Sequence, residues 1–243
     1  MEKNLKHIAI IGGGIMGISS ALYLIRRGCK VTIIEKEPNG EPASYGNASW
    51  LSSSSITPVL MPGAIFKIPK MLFSRDGPLF LNFPGVLRIL PWLLKYLSYS
   101  SEVKVNYISD HLAPLLSNSF EEHKKLAEGT DALKWIVNSP FLFIYKNRED
   151  YIRETLTWNI RKKHGFKPIE IGKDELSALV PGLSEEYTFA IKINNQGYIS
   201  NSKKYLNDLI EGFKKLGGKI IEDEVVDISS DQKTIIIKGK KEE

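Results

Sequence analysis

The sequence predicts an α/β fold that begins with two strands joined by a helix, and two observations support this prediction. The first is a glycine-rich run at residues 11–17, which separates an apolar, strand-like segment from a segment with the apolar spacing of an amphipathic helix. The second is another apolar segment, residues 30–34, which ends on the acidic residue Glu35. This order of strand, glycine turn, helix, strand and acid is typical of a Rossmann-like unit that binds a dinucleotide.

Three glycines of the run stand at positions where this unit needs a residue without a side chain. Gly12 permits the tight turn, Gly14 lets main-chain amides approach a diphosphate, and Gly17 lets the helix pack close to the strand. The spacing therefore predicts a phosphate-binding turn, with a glycine-rich turn that holds no ligand as the alternative.

The head of the following helix adds an electrostatic argument. A diphosphate would rest against the main-chain amides beside Ile15 and Met16, where the helix dipole favours negative charge. Glu35, one strand further along, is placed to accept hydrogen bonds from ribose hydroxyls. Together these residues predict a site for an adenine dinucleotide.

Composition narrows the class of protein. The chain has 243 residues, of which 42% are hydrophobic and 25% charged, as in ordinary globular proteins of one large or two smaller domains. Its net charge of +5 comes without an arginine-rich stripe, so we expect no nucleic-acid partner. The single cysteine, Cys29, excludes an internal disulfide and suits a reducing compartment such as the cytoplasm. The four histidines lack metal-ligand spacing, so no metal site is predicted.

The segment after Glu35 changes character. Residues 36–46 are rich in turn formers, and a short polar helix is predicted from residue 43, where Ser44, Asn47 and Ser49 could face a ligand. The chain is then mostly helical to about residue 128. The segment 86–97 has a wide apolar surface, which favours a helix packed on the core and leaves open a helix that rests on a membrane.

The second half of the chain alternates between strands and helices. The predicted strands are residues 141–145, 167–171, 187–193, 219–222, 224–228 and 233–238, and the predicted helices are residues 148–164, 173–180 and 202–216. The strand at 219–222 could return to the first sheet as a parallel strand and bring Val225 near the adenine side of a cofactor. A purely structural β-hairpin is the alternative.

A family resemblance becomes visible when these residues are taken together. The glycine run with Glu35 and Lys36, followed by Ser44 and Asn47, resembles the FAD-dependent D-amino-acid oxidase superfamily, most of all the small-subunit branch of the D-amino-acid dehydrogenases. The resemblance covers nearly the whole chain. It implies a Rossmann-like FAD-binding domain at residues 1–80 and 196–243. Residues 81–195 would hold a large helical insertion and part of an α+β substrate domain.

The resemblance also implies contacts with FAD. Gly12, Gly14 and Gly17 would hold the diphosphate, with Ile15 and Met16 at the head of the helix. Glu35 would bind the adenosine ribose with Lys36 beside the adenosine, and Val225 would present its backbone to the adenine. The residues implied on the diphosphate and flavin side are Ser44, Asn47, Ser49 and Leu51.

The activity implied by the resemblance is oxidation of the C–N bond of an amino acid, with a hydride passing from the α-carbon to the flavin. No side chain stands out by its spacing as a catalytic residue. In the dehydrogenase relatives the electrons pass to a membrane quinone. The apolar segment 86–97 would then contact the inner face of the plasma membrane peripherally.

Some features depart from the family pattern. Ser49 stands where the family has glycine, and Trp50 adds bulk beside the expected flavin position. Family members also continue with further strands and a glycine-rich segment that returns to the flavin, so the sequence is expected to be the N-terminal portion of such an enzyme. Two alternatives remain: an NAD-dependent Rossmann dehydrogenase, and a truncated remnant without catalysis.

Overall fold

The computed structural model of the chain describes residues 6–38, 40, 43–63, 83–230 and 235–241. In chain order its helices and strands are β1 (His7–Ile11), α1 (Ile15–Arg26), β2 (Lys30–Glu35), β3 (Trp50–Leu51), α2 (Phe83–Leu97), α3 (Glu102–Leu116), α4 (Ser119–Ala127), β4 (Ile136–Asn138), β5 (Phe141–Tyr145), α5 (Arg148–Ile152), α6 (Thr155–Lys163), β6 (Ile169–Gly172), α7 (Lys173–Leu179), β7 (Phe189–Ile193), β8 (Gly197–Ile199), α8 (Ser202–Lys215), β9 (Lys219–Glu222), β10 (Val225–Ser230) and β11 (Ile235–Gly239). Short 3-10 helices at Ala43–Gly46 and Asp131–Trp135 precede β3 and β4.

These residues form two compact units. The first comprises Met1–Leu51, Phe120–Ser139 and Gly197–Glu243, and the second comprises Ser52–Ser119 and Pro140–Gln196. Helix α4 and strand β4 belong to the first unit, although they are distant in sequence from its other segments. Residue 80, where the sequence predicts a domain boundary, lies outside the described residues. The assignment of one unit to the cofactor and the other to a substrate stays a prediction.

The first unit contains a parallel sheet in the order β1-β2-β9. Its register places Ile10 beside Ile33, and Ile33 beside Ile220. The α/β class is therefore confirmed, and so is the return of residues 219–222 to the first sheet. Because all three strands run in the same direction, their carboxyl ends share one edge, beside the head of α1.

Apolar residues of α1 and α8 supply much of the core of the first unit. Ile18 and Leu22 of α1 are fully buried, as are Leu209 and Phe213 of α8. The two helices thus bury their apolar faces in one cluster that also contains Ile33 of β2. This packing brings the first turns of α8, more than 180 residues along the chain, into the region of the glycine turn.

A second sheet of the first unit has the antiparallel order β3-β8-β4. The sequence predicts a turn at Gln196 and Gly197, but Gly197 is the first residue of strand β8. A bend lies just before it, at Asn195, whose φ is 58°. Strands β10 and β11 pair antiparallel and form a hairpin. The strand that returns to the first sheet and the hairpin given as its alternative therefore both occur, one after the other.

The second unit is built on the antiparallel sheet β5-β7-β6. Trp158 of α6 is buried in an aromatic cluster with Tyr145, Tyr151 and Phe189. Residues 148–164, which the sequence predicts as one helix, form the two helices α5 and α6.

Helix α2 does not show the burial expected of a helix packed on a core. Its side chains in the described part of the chain include exposed Ile89, Leu90, Trp92 and Leu94, and none of them is buried. Trp92 and Tyr96 stack with their ring centroids 5.2 Å apart. None of the helices within the described ranges is long and apolar enough to cross a membrane.

Candidate functional site

The glycine turn between β1 and α1 has the backbone that its sequence predicts. Gly12 has a φ of +97°, a left-handed conformation that L side chains rarely adopt. Its N–H donates to the carbonyl oxygen of Ile34 at 2.8 Å, which anchors the turn to β2. A Cβ atom on Gly17 would lie 1.9 Å from the carbonyl oxygen of Gly12. Helix and turn can therefore approach this closely only with glycine at position 17.

The head of α1 leaves main-chain donors without partners inside the helix. Gly14 is its N-cap and makes no side-chain capping hydrogen bond. The first backbone hydrogen bond into the helix runs from Ile18 N–H to Gly14 O, at 3.0 Å, so the amides before Ile18 have no acceptor within the helix. The first turn carries no acidic side chain that would compete with an anionic ligand.

Glu35 is directed at this turn. Its Oε2 accepts a hydrogen bond from Gly13 N–H at 2.6 Å, and its Oε1 accepts one from Glu37 N–H at 3.1 Å. A carboxylate has about four acceptor positions, so each oxygen can still accept a hydroxyl hydrogen from a ligand. The acid that the sequence predicts as a ribose ligand thus lies beside the glycine turn and retains acceptor capacity.

A first cavity opens in front of the turn, and we call it the charged cavity because Glu35, Lys36 and Glu37 line it. Its walls are Gly13, Gly14, Glu35, Lys36, Glu37, Pro38, Gly40, Tyr45, Leu206 and Ile210. Three predicted site residues, Gly14, Glu35 and Lys36, meet here. A Cβ atom on Gly14 would have no neighbour within 4 Å and would face open space.

A second cavity, the uncharged cavity, has no lysine, arginine, aspartate or glutamate in its wall. Its walls are Ile15, Ser44, Asn47, Ser49, Trp50, Leu51, His123, Ile199, Ser202, Tyr205 and Leu206. Five predicted site residues, Ile15, Ser44, Asn47, Ser49 and Leu51, meet here. Leu206 belongs to both walls, so the two cavities adjoin at this side chain.

Four predicted residues line neither cavity. Gly12 and Gly17 shape the turn from behind, and Met16 is 79% exposed in the first turn of α1. Val225 begins β10 and is half-buried. The segment that leads to it is held beside β2, because the N–H of Asp223 donates to the carbonyl oxygen of Glu35 at 3.1 Å.

Ser49 stands where the family resemblance implies glycine, and its backbone adopts a conformation that favours glycine. Its φ is 56°, in the left-handed region that favours glycine. The side-chain oxygen of Asn47 accepts from Ser49 N–H at 2.8 Å and from the Ser49 hydroxyl at 3.0 Å. Ser49 also hydrogen-bonds to Ser202 through its hydroxyl, and its carbonyl oxygen accepts from Ile199 N–H at 2.9 Å. The main-chain N–H of Ser49 is therefore already engaged within the protein.

Helix α8 supplies residues that sequence reasoning missed. Ser202, Tyr205 and Leu206 line the uncharged cavity, and Ile210 lines the charged one with Leu206. The amphipathic pattern of residues 202–216 indicates that one face is buried. It carries no signal for what that face packs against, which depends on tertiary contacts with α1.

His123 of α4 also lines the uncharged cavity, although no sequence pattern predicts it as a site residue. Its Nδ1 lies 2.9 Å from the hydroxyl of Tyr205. Burial lowers the pKa of His123, because a low-polarity surrounding disfavours the charged imidazolium. Burial likewise raises the pKa of Tyr205. Near neutral pH both side chains are uncharged.

The walls of the two cavities carry the kinds of group that the two halves of an adenine dinucleotide would need. A diphosphate at the head of α1 would meet free amides and the bare Cα of Gly14. The ribose of the adenosine would meet Glu35, and the uncharged half of the molecule would meet hydroxyl, amide and apolar side chains. Among the residues that the structure describes, no group of three or more His, Cys, Asp or Glu could hold a metal ion.

A comparison with protein-family models matches residues 7–243 to the DAO family, described as FAD-dependent oxidoreductases. This result confirms the family inferred from the glycine run, Glu35, Ser44 and Asn47, and it identifies the cofactor of the family as FAD. The alternative of an NAD-dependent Rossmann dehydrogenase is therefore not supported.

Individual relatives agree with the family match. The chain is 35% identical over 219 residues to a D-amino-acid oxidase of Bradyrhizobium diazoefficiens, which covers 89% of the chain and 52% of that protein. It is 28% identical over 158 residues to a D-amino acid dehydrogenase of Helicobacter pylori, which covers 63% of the chain and 37% of that protein. The chain thus spans about half the length, or less, of these curated relatives.

A solved structure shows the same fold. The glycine oxidase of Bacillus cereus superposes with a TM-score of 0.59 at 19% identity, over 98% of this chain and 52% of that one. At this level of identity the likeness concerns the fold.

Two glycine substitutions separate the role of each glycine in folding from its role at the cavity. Gly17→Ala should lower the thermal unfolding midpoint by several degrees or prevent folding, because its Cβ would overlap a backbone oxygen that cannot easily move. Gly14→Ala should leave the midpoint within about 2 °C of the unmodified chain, because its Cβ meets open space. Thermal unfolding followed by circular dichroism measures both. Equal midpoints for the two variants would contradict the close packing of α1 on the turn.

Proposed function

The chain belongs to the DAO family of FAD-dependent oxidoreductases, and we propose that it is the FAD-binding portion of an enzyme that oxidises the C–N bond of an amino acid. The observation that carries this proposal is that Gly14, the N-cap of α1, and the Glu35 carboxylate line one cavity at the glycine turn. The names of the two curated relatives, an oxidase and a dehydrogenase of D-amino acids, support an amino acid as the substrate class.

The residues around the charged cavity would hold the adenosine diphosphate half of FAD. The amides at the head of α1 would donate to the diphosphate, and Glu35 would accept from the ribose. Lys36, in the same wall, would lie beside the adenosine and offset negative charge. Gly14 lines this cavity, and a side chain at that position would extend into open space that a bound diphosphate would need.

The uncharged cavity would hold the half of the cofactor that carries the ring system. When bound, the flavin supplies the redox chemistry by accepting a hydride from the substrate. The residues of this chain bind and orient: Ser44 and Asn47 offer polar groups, while Leu51 and Ile199 offer apolar surface. A wall without charged groups suits an uncharged, planar ring, because no ion has to lose its hydration when the ring binds.

A titration with FAD tests the proposal. The chain should bind FAD with saturation, and NADH at the same concentrations should give no comparable binding. Gly14→Ala should weaken FAD binding at least tenfold, because Gly14 lines the charged cavity and the added methyl group would extend into space that no protein atom fills. Gly172→Ala, at another glycine whose Cβ would meet open space, should bind FAD as the unmodified chain does.

Flavin fluorescence or equilibrium dialysis measures the affinity. Absence of FAD binding by the unmodified, folded chain would refute the proposed function. Unchanged affinity in Gly14→Ala would refute the placement of the diphosphate at the head of α1.

We propose further that α2 rests on a membrane surface and that a membrane quinone accepts the electrons. The exposed fractions of Trp92 and Leu94, 61% and 60%, support this proposal, because large apolar side chains in water favour burial in the interfacial region of a bilayer. Arg88 and Lys95 in the same helix would favour anionic lipids.

Co-sedimentation with anionic phospholipid vesicles tests the contact of α2. An Ile89→Ser, Trp92→Ser double variant should lose binding several-fold, because these two exposed apolar side chains lie three positions apart on one face of α2. Val103→Ser, at an 80% exposed position of α3, is the matched control and should bind as before. Equal sedimentation of all three proteins would contradict the proposal.

A further inference from the structure

His123 occupies an unusual position in the wall of the uncharged cavity. The other polar groups of that wall include the serine and asparagine side chains, and two of these, Ser49 and Asn47, are hydrogen-bonded to each other. His123 is contributed by α4 and reaches the wall together with Tyr205 of α8. The imidazole ring packs on the tyrosine ring, with centroids 5.9 Å apart.

The hydrogen bond between these two side chains determines which nitrogen of His123 carries the proton. Tyr205 is 3% exposed, and its hydroxyl has Nδ1 of His123 as its partner, at 2.9 Å. If Nδ1 carried the proton, the buried hydroxyl hydrogen of Tyr205 would have no acceptor, which costs about 1–3 kcal/mol. The favoured arrangement is therefore Tyr205 O–H donating to Nδ1, with the proton of the neutral imidazole on Nε2.

The Nε2–H group remains available to a ligand. Within the described residues, the buried side-chain nitrogen and oxygen atoms that lack a partner are Ser109 Oγ and Arg161 Nη1. Nε2 of His123 is not among them, so it is accessible, and the ring to which it belongs borders the uncharged cavity. The wall of the cavity thus includes an imidazole whose tautomer is set by a neighbouring tyrosine.

We propose that His123 is a cofactor-binding residue: its Nε2–H donates to an acceptor atom in the flavin-bearing half of FAD, and Tyr205 is the positioning residue that holds the donor tautomer. This inference rests on the proposed function and assigns it two residues. A neutral donor suits this wall, because it contributes a hydrogen bond without placing an ion in an uncharged cavity.

A comparison of FAD with ADP separates this role from a structural one. ADP carries the adenosine and diphosphate, which belong to the charged cavity, and lacks the flavin-bearing half. His123→Leu should weaken FAD binding about tenfold and change ADP affinity by less than about twofold. His123→Gln, which keeps a side-chain N–H donor, should retain FAD affinity within about threefold of the unmodified chain.

Tyr205→Phe should show the same selective loss in smaller measure, because the ring is kept while the hydroxyl that fixes the tautomer is removed. His111→Leu, at an exposed histidine of α3, is the control and should leave both affinities unchanged. Isothermal calorimetry on the full chain measures the affinities, and thermal unfolding verifies that each variant is folded. If His123→Leu does not fold, Tyr205→Phe decides the matter by the same comparison.

The outcomes distinguish this inference from the proposed function. Failure of the unmodified chain to bind FAD would refute the proposed function itself. FAD binding that is unaffected by His123→Leu, or lost in equal measure with ADP binding, would leave the proposed function standing and overturn the role of His123.

Discussion

The hydrogen bond from Gly13 N–H to the Glu35 carboxylate, 2.6 Å long, is the interaction on which the site depends. It ties the end of β2 to the glycine turn, and the Gly12 N–H to Ile34 O bond ties the same two segments a second time. Together they place the acid beside the free amides of α1. Gly14 at the head of α1 and the acceptor Glu35 therefore line the same cavity, which is the arrangement that an adenine dinucleotide would need.

This part of the site could be predicted because its determinants are local. The turn, α1, β2 and Glu35 lie within the first 35 residues, and each glycine has a steric reason that its position reveals. Strand β9 was also predictable, since the Gly217-Gly218 helix stop before an apolar segment indicates a return to a sheet. The same local patterns indicated that α8 has a buried face.

The remainder depends on contacts between residues far apart in the sequence. His123 and Tyr205 are separated by 82 positions, and neither is marked by a motif. The first unit gains α4 and β4 from residues that sequence patterns place in an insertion, because β4 pairs with β8. Ser49 shows a further limit, because in sequence it breaks the glycine pattern that the family resemblance implies. In the structure Asn47 supports the left-handed backbone that the pattern encodes.

Amide hydrogen exchange in the presence of FAD measures the central claim most directly, because the diphosphate is expected on particular main-chain N–H groups. The account predicts that exchange of the amides at residues 14–17 slows several-fold on saturation with FAD, and that ADP gives the same protection there. If fluorescence shows flavin bound to the chain while the exchange rates of the amides at residues 14–17 stay unchanged, the account is contradicted.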